Sequence, residues 1–326
     1  MKRRVLISAV VVIGLLLVTF TFLMNSPRFW ERIVLHIGQA HADIKIKEVM
    51  IDGLRWNPQG SLEIDTLRFK LKLKKDTYFF STGRVTVDGL YSLWFGPALL
   101  PIHMEHAAVV SDGVNMSDVS FQGVADVRKR QMTGKMRATS LEANHYVLTG
   151  VDADLEMNSQ GIKLAGPAHF YGGRLSGDVR VSYQQPLAYD LNIDVQDVDL
   201  NQMVSANPAI FDTMKGIIQG HIQISGQGDR VVACQGLLSA PAGGLLKAYV
   251  LTYLAQYIPQ KKQLEALILN NEDVAFDHAQ AEMTSLNDEQ FSMQLTMDSS
   301  TLNLGLKVIA DVHIDGGIKN LLEYLK

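Results

Sequence analysis

The sequence predicts a mainly β protein, an antiparallel meander carried behind one membrane-spanning helix. Three observations predict it. Apolar residues recur at every second position through most of the chain, turn-forming pairs interrupt them at short intervals, and residues 5–24 form one unbroken apolar run.

The run comes first in the chain. Lys2, Arg3 and Arg4 precede it, and it contains no charge. Twenty residues at about 1.5 Å rise make a helix of roughly 30 Å, the thickness of a bilayer core. A cleaved signal peptide has a shorter apolar stretch of about 7 to 15 residues and small residues close behind it. Here Asn25, Ser26, Pro27, Arg28, Phe29 and Trp30 follow, so residues 1–26 are expected to be a permanent anchor. Positive residues at the short amino end stay on the cytoplasmic side, which places the body outside the cytoplasm. Beyond Pro27 the expected element is a short amphipathic helix over 27–42, with Phe29, Trp30, Ile33, Val34 and Ile37 on its apolar side.

Strands are expected from there to the carboxyl end, over 43–326. Leu67, Phe69, Leu71 and Leu73 alternate with Arg68, Lys70, Lys72 and Lys74. Val151, Ala153, Leu155 and Met157 alternate with Asp152, Asp154, Glu156 and Asn158. Leu175, Gly177, Val179, Val181 and Tyr183 form the next set, and after a turn at Gln184-Gln185-Pro186 come Tyr189, Leu191, Ile193 and Val195. That pair reads as a hairpin with both apolar sets on one side. Ile218, Gly220, Ile222 and Ile224 continue the pattern, as do Phe291, Met293, Leu295 and Met297, and finally Leu302, Leu304, Leu306, Val308, Ala310, Val312 and Ile314. Asp52-Gly53, Asn57-Pro58-Gln59-Gly60, Asp88-Gly89, Gly172-Gly173 and Gly226-Gln227-Gly228 supply turns, too closely spaced for the helical crossovers that parallel strands need. The main helical exception is 245–258, entered from Pro241-Ala242-Gly243-Gly244 and stopped by Pro259, with a shorter piece to about 269.

Composition and motifs exclude several functions. With 30 basic and 34 acidic residues the net charge is -4, which offers nucleic acid no footprint. The single cysteine, Cys234, can form no internal disulfide and reads as a buried strand thiol. His103 and His106 are spaced as an H-x-x-H, but in an extended segment they point to opposite faces and no further ligand completes a metal set. Asp152 with Asp154, and Asp194 with Asp197 and Asp199, are the candidate paired acids, but the first pair and Asp194 lie on the polar faces of strands and need no chemistry to explain them. No nucleophile elbow, phosphate loop or dinucleotide fingerprint occurs. The expectation is a protein that is not an enzyme and has no cofactor. The basic set Lys70, Lys72, Lys74 and Lys75 reads as a solvated strand face.

Areas then pose a problem. About 15 strands at roughly 4.8 Å spacing make a sheet near 70 Å across, while a helix of about 14 residues covers only about 21 Å of it. So large an apolar face must be covered. Either the sheet closes on itself as a sandwich or barrel, or it curls into an open trough that holds apolar ligand.

Gly172-Gly173-Arg174-Leu175-Ser176-Gly177, the stretch Asp194-Val195-Gln196-Asp197-Val198-Asp199-Leu200, and the glycine-punctuated strand over 215–228 resemble the AsmA family. The amino-terminal anchor, residues 46–54 and Met297-Asp298-Ser299-Ser300 resemble it too. The resemblance implies an elongated, curled antiparallel β-groove akin to the bridge-like lipid transfer proteins. It also implies an inner-membrane anchor and a periplasmic body that handles phospholipid. Under it, the groove lining would be Leu67, Phe69, Leu71, Val151, Leu155, Val179, Val181, Tyr183, Leu191, Ile193, Val195, Ile222, Ile224, Phe291, Met293, Leu295, Leu302, Leu304, Leu306 and Val308. A sheet of roughly 70 Å is too short to cross an envelope alone, so a partner protein or self-association is expected. The competing expectation is a scaffold or assembly factor for envelope proteins, with a closed sandwich core and no ligand.

Overall fold

The computed structural model describes residues 26–28, 31, 44–73, 76–111, 114–143, 145–183, 186–204, 206, 212–228, 230–250, 270, 272–285, 290–300 and 304–313. The expected anchor over 5–24 and most of the helix over 27–42 lie outside them. Pro27, Arg28 and Glu31 are helical, and the Glu31 carboxylate accepts the Ile51 backbone N–H at 3.3 Å. Among the described residues no helix is long and apolar enough to cross a membrane.

Period-two patterning yields twenty strands among the described residues, and every register that is defined is antiparallel. The chain divides into two compact units, Met1–Ser140 and Leu141–Lys326, where one β domain over 43–326 was expected.

The first unit holds β1 (Ile44–Asp52), β2 (Arg55–Asn57), β3 (Ser61–Ile64), β4 (Thr66–Leu73), β5 (Asp76–Ser81) and β6 (Val85–Val87). A single-turn helix, α1 (Ser92–Phe95), leads into β7 (Leu99–Ser111) and β8 (Val114–Asp126). The chain leaves the unit within β9 (Gln131–Ala143). The long β7 carries two shorter arms along one edge. Its amino half pairs with β6, which continues to β3 and β2, and its carboxyl half pairs with β5, which continues to β4 and β1. The arms turn apolar side chains toward one another. Val49, Ile51, Leu62, Ile64, Val85 and Leu90 form a buried cluster against which Trp56, Leu67, Phe69 and Met104 pack. This unit therefore has a filled core.

The second unit is a meander of β10 (Tyr146–Met157), β11 (Gly161–Phe170), β12 (Gly173–Ser182), β13 (Ala188–Asp199), β14 (Met214–Gln227) and β15 (Arg230–Ala240). It continues with β18 (His278–Ser285), β19 (Gln290–Ser299) and β20 (Leu304–His313). The short β16 (Gly244–Leu246) and β17 (Val274–Phe276) pair with each other, and β16 pairs on its other side with the start of β14. No pairing among the described residues joins β10 to β20, so this sheet is open and not a closed barrel.

The helix expected from residue 245 starts later. Leu245 and Leu246 belong to β16, which has ladder partners on both sides, Lys215 and Met214 on one and Ala275 and Val274 on the other. Two ladders outweigh the helical propensity of the leucines. Helix is found at residues 248–250, and the rest of the expected segment, to 269, lies outside the described residues.

A second short helix, α2 (Leu200–Met203), follows β13. The Asp199 carboxylate caps it by accepting the Asn201 N–H at 2.9 Å. Leu200 and Met203 are thereby turned inward, where with Val195 and Val198 they form the buried cluster of this unit. Asp199→Ala is expected to lower stability by about 1 kcal/mol, the usual worth of such a cap, read as a fall in the urea midpoint at unchanged slope.

Candidate functional site

Register decides whether alternation in separate strands adds up to one surface. In the second unit it does. Leu155, Leu164, Val179, Leu191, Ile224 and Cys234 are successive cross-strand partners from β10 to β15. A second row runs Gly166, Gly177, Ile193, Ile222, Gly236, Met283, Met293 and Ala310, and a third Ala168, Leu175, Val195, Gly220, Leu238, Ala281, Leu295 and Val308. Both run from β11 to β20 without a polar residue.

The other face is the reverse. Asp178, Asn192, Gln223, Gln235, Thr284, Ser292 and Asp311 are partners in the same order, all polar. A one-residue slip anywhere would exchange the faces, so the match along the sheet fixes the register.

The apolar face is only partly covered. Leu155, Leu164, Val179, Leu191, Ile193, Ile222 and Ile224 are half-buried, and among the described side chains of the groove residues in this unit only Val195, at 7 %, is buried. Coverage is concentrated beside α2, where Leu175, Ile193, Ile222 and Leu238 pack against Val195, Val198, Leu200 and Met203. The second row is low at Gly166 and Gly177, which face each other. Gly177 has φ +154°, and a Cβ there would collide with the Asn192 carbonyl oxygen, so the floor stays bare at that point.

The other expected lining residues are distributed differently. Leu67 and Phe69 belong to the filled core of the first unit, with the Phe69 and Phe80 rings 4.3 Å apart. Leu71 is the register partner of Tyr78, and nothing beyond its backbone is described. Val151 is half-buried where the β10 ladder is irregular between Thr149 and Asp154. Val181 pairs with Ile162 and Tyr189 near the strand ends, and Tyr183 lies just past β12, 39 % exposed. Phe291, Met293, Leu304, Leu306 and Val308 take positions in the β19–β20 ladder, Leu295 is half-buried between Ala281 and Val308, and Leu302 lies outside the described residues. Sequence patterning passed over Ile162, Leu164, Leu238 and Met283. Ile162 and Leu164 do alternate, but Gly166 and Pro167 interrupt the pattern just after them.

The polar candidates separate into individual roles. His103 pairs with Glu105 at 3.1 Å and His106 with Asp118 at 2.7 Å, both in solvent. His106 sits at φ +53° in a bulge of β7, which breaks the strict alternation assumed for the pair. The hydrogen bond from His106, with a second from Thr139 at 2.9 Å, holds the Asp118 carboxyl below its ordinary value. Asp194 pairs with His221 at 2.8 Å, Asp197 occupies a bulge at φ +53°, and Asp199 is the cap of α2. Cys234 is half-buried where a buried thiol was expected, and burial pushes its pKa up. The Lys70 ammonium lies 4.8 Å from the centre of the Phe79 ring. Among the described residues no group of three or more His, Cys, Asp or Glu side chains is placed to hold a metal ion.

No family model, curated protein or solved structure matches the chain. The apolar face is therefore the feature from which a function has to be argued.

Proposed function

We propose that this protein handles phospholipid, shielding acyl chains on the apolar face of β10–β20 while headgroups stay at the strand ends. The observation that carries the reading is the pair of unbroken rows from β11 to β20, polar-free and, among the described side chains, mostly half-buried. Eight strands at about 4.8 Å give a track of roughly 34 Å. Each methylene laid on it leaves water with a gain of about 0.8 kcal/mol, so a tail gains from any position along the track and is held at no single one. That is what passage requires.

The setting proposed is an inner-membrane anchor through residues 5–24, with the body on the periplasmic side and a partner protein or a second copy extending the track. The charge pattern of the amino end and the resemblance to the AsmA family support it. The scaffold reading draws on the filled core of the first unit.

Purifying the full-length protein in detergent and identifying bound lipid by mass spectrometry separates the two. The expected result is copurified phospholipid, together with lipid captured by a photoreactive residue placed at Ile193. A lipid-free preparation with no capture at that position would leave the scaffold.

A further inference from the structure

The sheet's two faces meet only at the strand ends. At one such end, beside the turn that joins β10 to β11, lies a hollow of about 540 Å³. Its lining takes in Ile162 and Val181, the last apolar pair of β11 and β12, and four charged residues of the polar face, Glu156, Lys163, Arg180 and Asp190.

Those four are not scattered. Glu156 is the partner of Lys163, Lys163 of Arg180, and Arg180 of Asp190, so they form one row across β10 to β13 with charges minus, plus, plus, minus. Two cations directly opposite each other on neighbouring strands repel, and such a pair is locally destabilising. Relief within the protein is partial. Arg180 turns its Nε along its own strand to Asp178 at 2.8 Å, and Lys163, half-buried, makes no ion pair among the described residues. An anion bridging Lys163 and Arg180 would relieve the repulsion. A cation beside it would meet Asp190 or Glu156. Counting Asp178, two cations face three carboxylates, which disfavours a simple anion and favours a zwitterion.

We propose that this hollow is a seat for a phosphate ester carrying a nearby primary ammonium, as in phosphoethanolamine. The phosphate sits between Lys163 and Arg180, and the ammonium on Asp190 or Glu156. The guanidinium and ammonium groups donate charge-assisted hydrogen bonds to phosphate oxygens, and the carboxylates accept from the ligand ammonium. Because Ile162 and Val181 lead from the hollow onto the apolar face, the tails of a phospholipid seated there have a dry path beside them. The seat rests on the lipid reading above and gives it a headgroup preference.

The test uses full-length protein in mixed micelles containing equal phosphatidylethanolamine and phosphatidylglycerol, with a photoreactive residue at position 193 and captured lipid identified by mass spectrometry. The wild type is expected to capture more phosphatidylethanolamine. Asp190→Asn with Glu156→Gln should erase that preference and keep phosphatidylglycerol capture. Lys163→Gln with Arg180→Gln should lower capture of both lipids at least about tenfold. Added glycerophosphoethanolamine, which has the headgroup and no tails, identifies the source. Competition at millimolar concentration means the seat also takes the free zwitterion, whereas no competition with the preference intact means it takes the headgroup only as part of a lipid. Equal capture of the two lipids by wild type, or the same ratio and yield in every variant, overturns the seat and leaves the groove standing. No lipid captured by wild type overturns both.

Discussion

Leu191→Asp is expected to lower lipid captured at position 193 by at least about tenfold while leaving the unfolding midpoint almost unchanged. Leu191 is the middle of the first apolar row, between Val179 and Ile224, and it is half-buried without belonging to the buried cluster of its unit. A carboxylate there keeps water contact in the empty protein, so folding loses little. An acyl chain laid over it removes that water and offers no hydrogen bond in return. The cost is several kcal/mol against the roughly 1.4 kcal/mol that a tenfold change requires. Leu191→Ala should change little, because the row is continuous on both sides and the loss is a few methylenes. The charge, not the altered shape, is the cause, so capture should recover as pH falls and the carboxyl protonates. Unchanged capture in Leu191→Asp at neutral pH would show that tails do not cross this row.

Much of this surface is legible in the sequence, and the reason is geometric. Where a strand is regular, alternation reports its faces directly, and the hairpin of β12 and β13 pairs Val179 with Leu191 as its two apolar sets require. Alternation does not report which strands lie side by side or where a bulge resets the phase. β7 illustrates this: its ladder slips between Met104 and Ala107 and again before Val109, so 99–111 carries no clean period. β11 is hidden by Gly166 and Pro167, although it supplies Leu164 to the first row.

Leu67 and Phe69 show the converse. Their alternation is as regular as that of Leu191 and Ile193, yet they pack into a filled core. What separates the two cases is whether a second arm of sheet turns back over the face. In the first unit β3 and β6 do this by way of the turns at Asp52-Gly53 and Asn57–Gly60, a tertiary event that period-two patterning cannot express. The charged row of Glu156, Lys163, Arg180 and Asp190 was hidden for a similar reason, since its members lie on four strands and acquire meaning only from register.

Val198 is where fold and track depend on each other most. At 1 % exposure it is the most enclosed large side chain among the described residues of its unit, brought inward by the bulge at Asp197 and seated among Val195, Leu200 and Met203. Val198→Ala is expected to cost about 2 kcal/mol, near the lower end for emptying a core position. Val198→Asp should cost more than about 4 kcal/mol, because the carboxylate is buried without a partner. Denaturant unfolding of the full-length protein would read both as falls in midpoint. The same cluster supports Ile193 and Ile222 from beneath α2, so loosening it should also reduce lipid capture at 193. The two substitutions thus separate stability from passage: Leu191→Asp removes capture and keeps the midpoint, whereas Val198→Ala lowers the midpoint first and capture only as far as the rows lose their seat. If Val198→Ala left the midpoint where it was, the α2 cluster would not be what holds this end of the sheet in place.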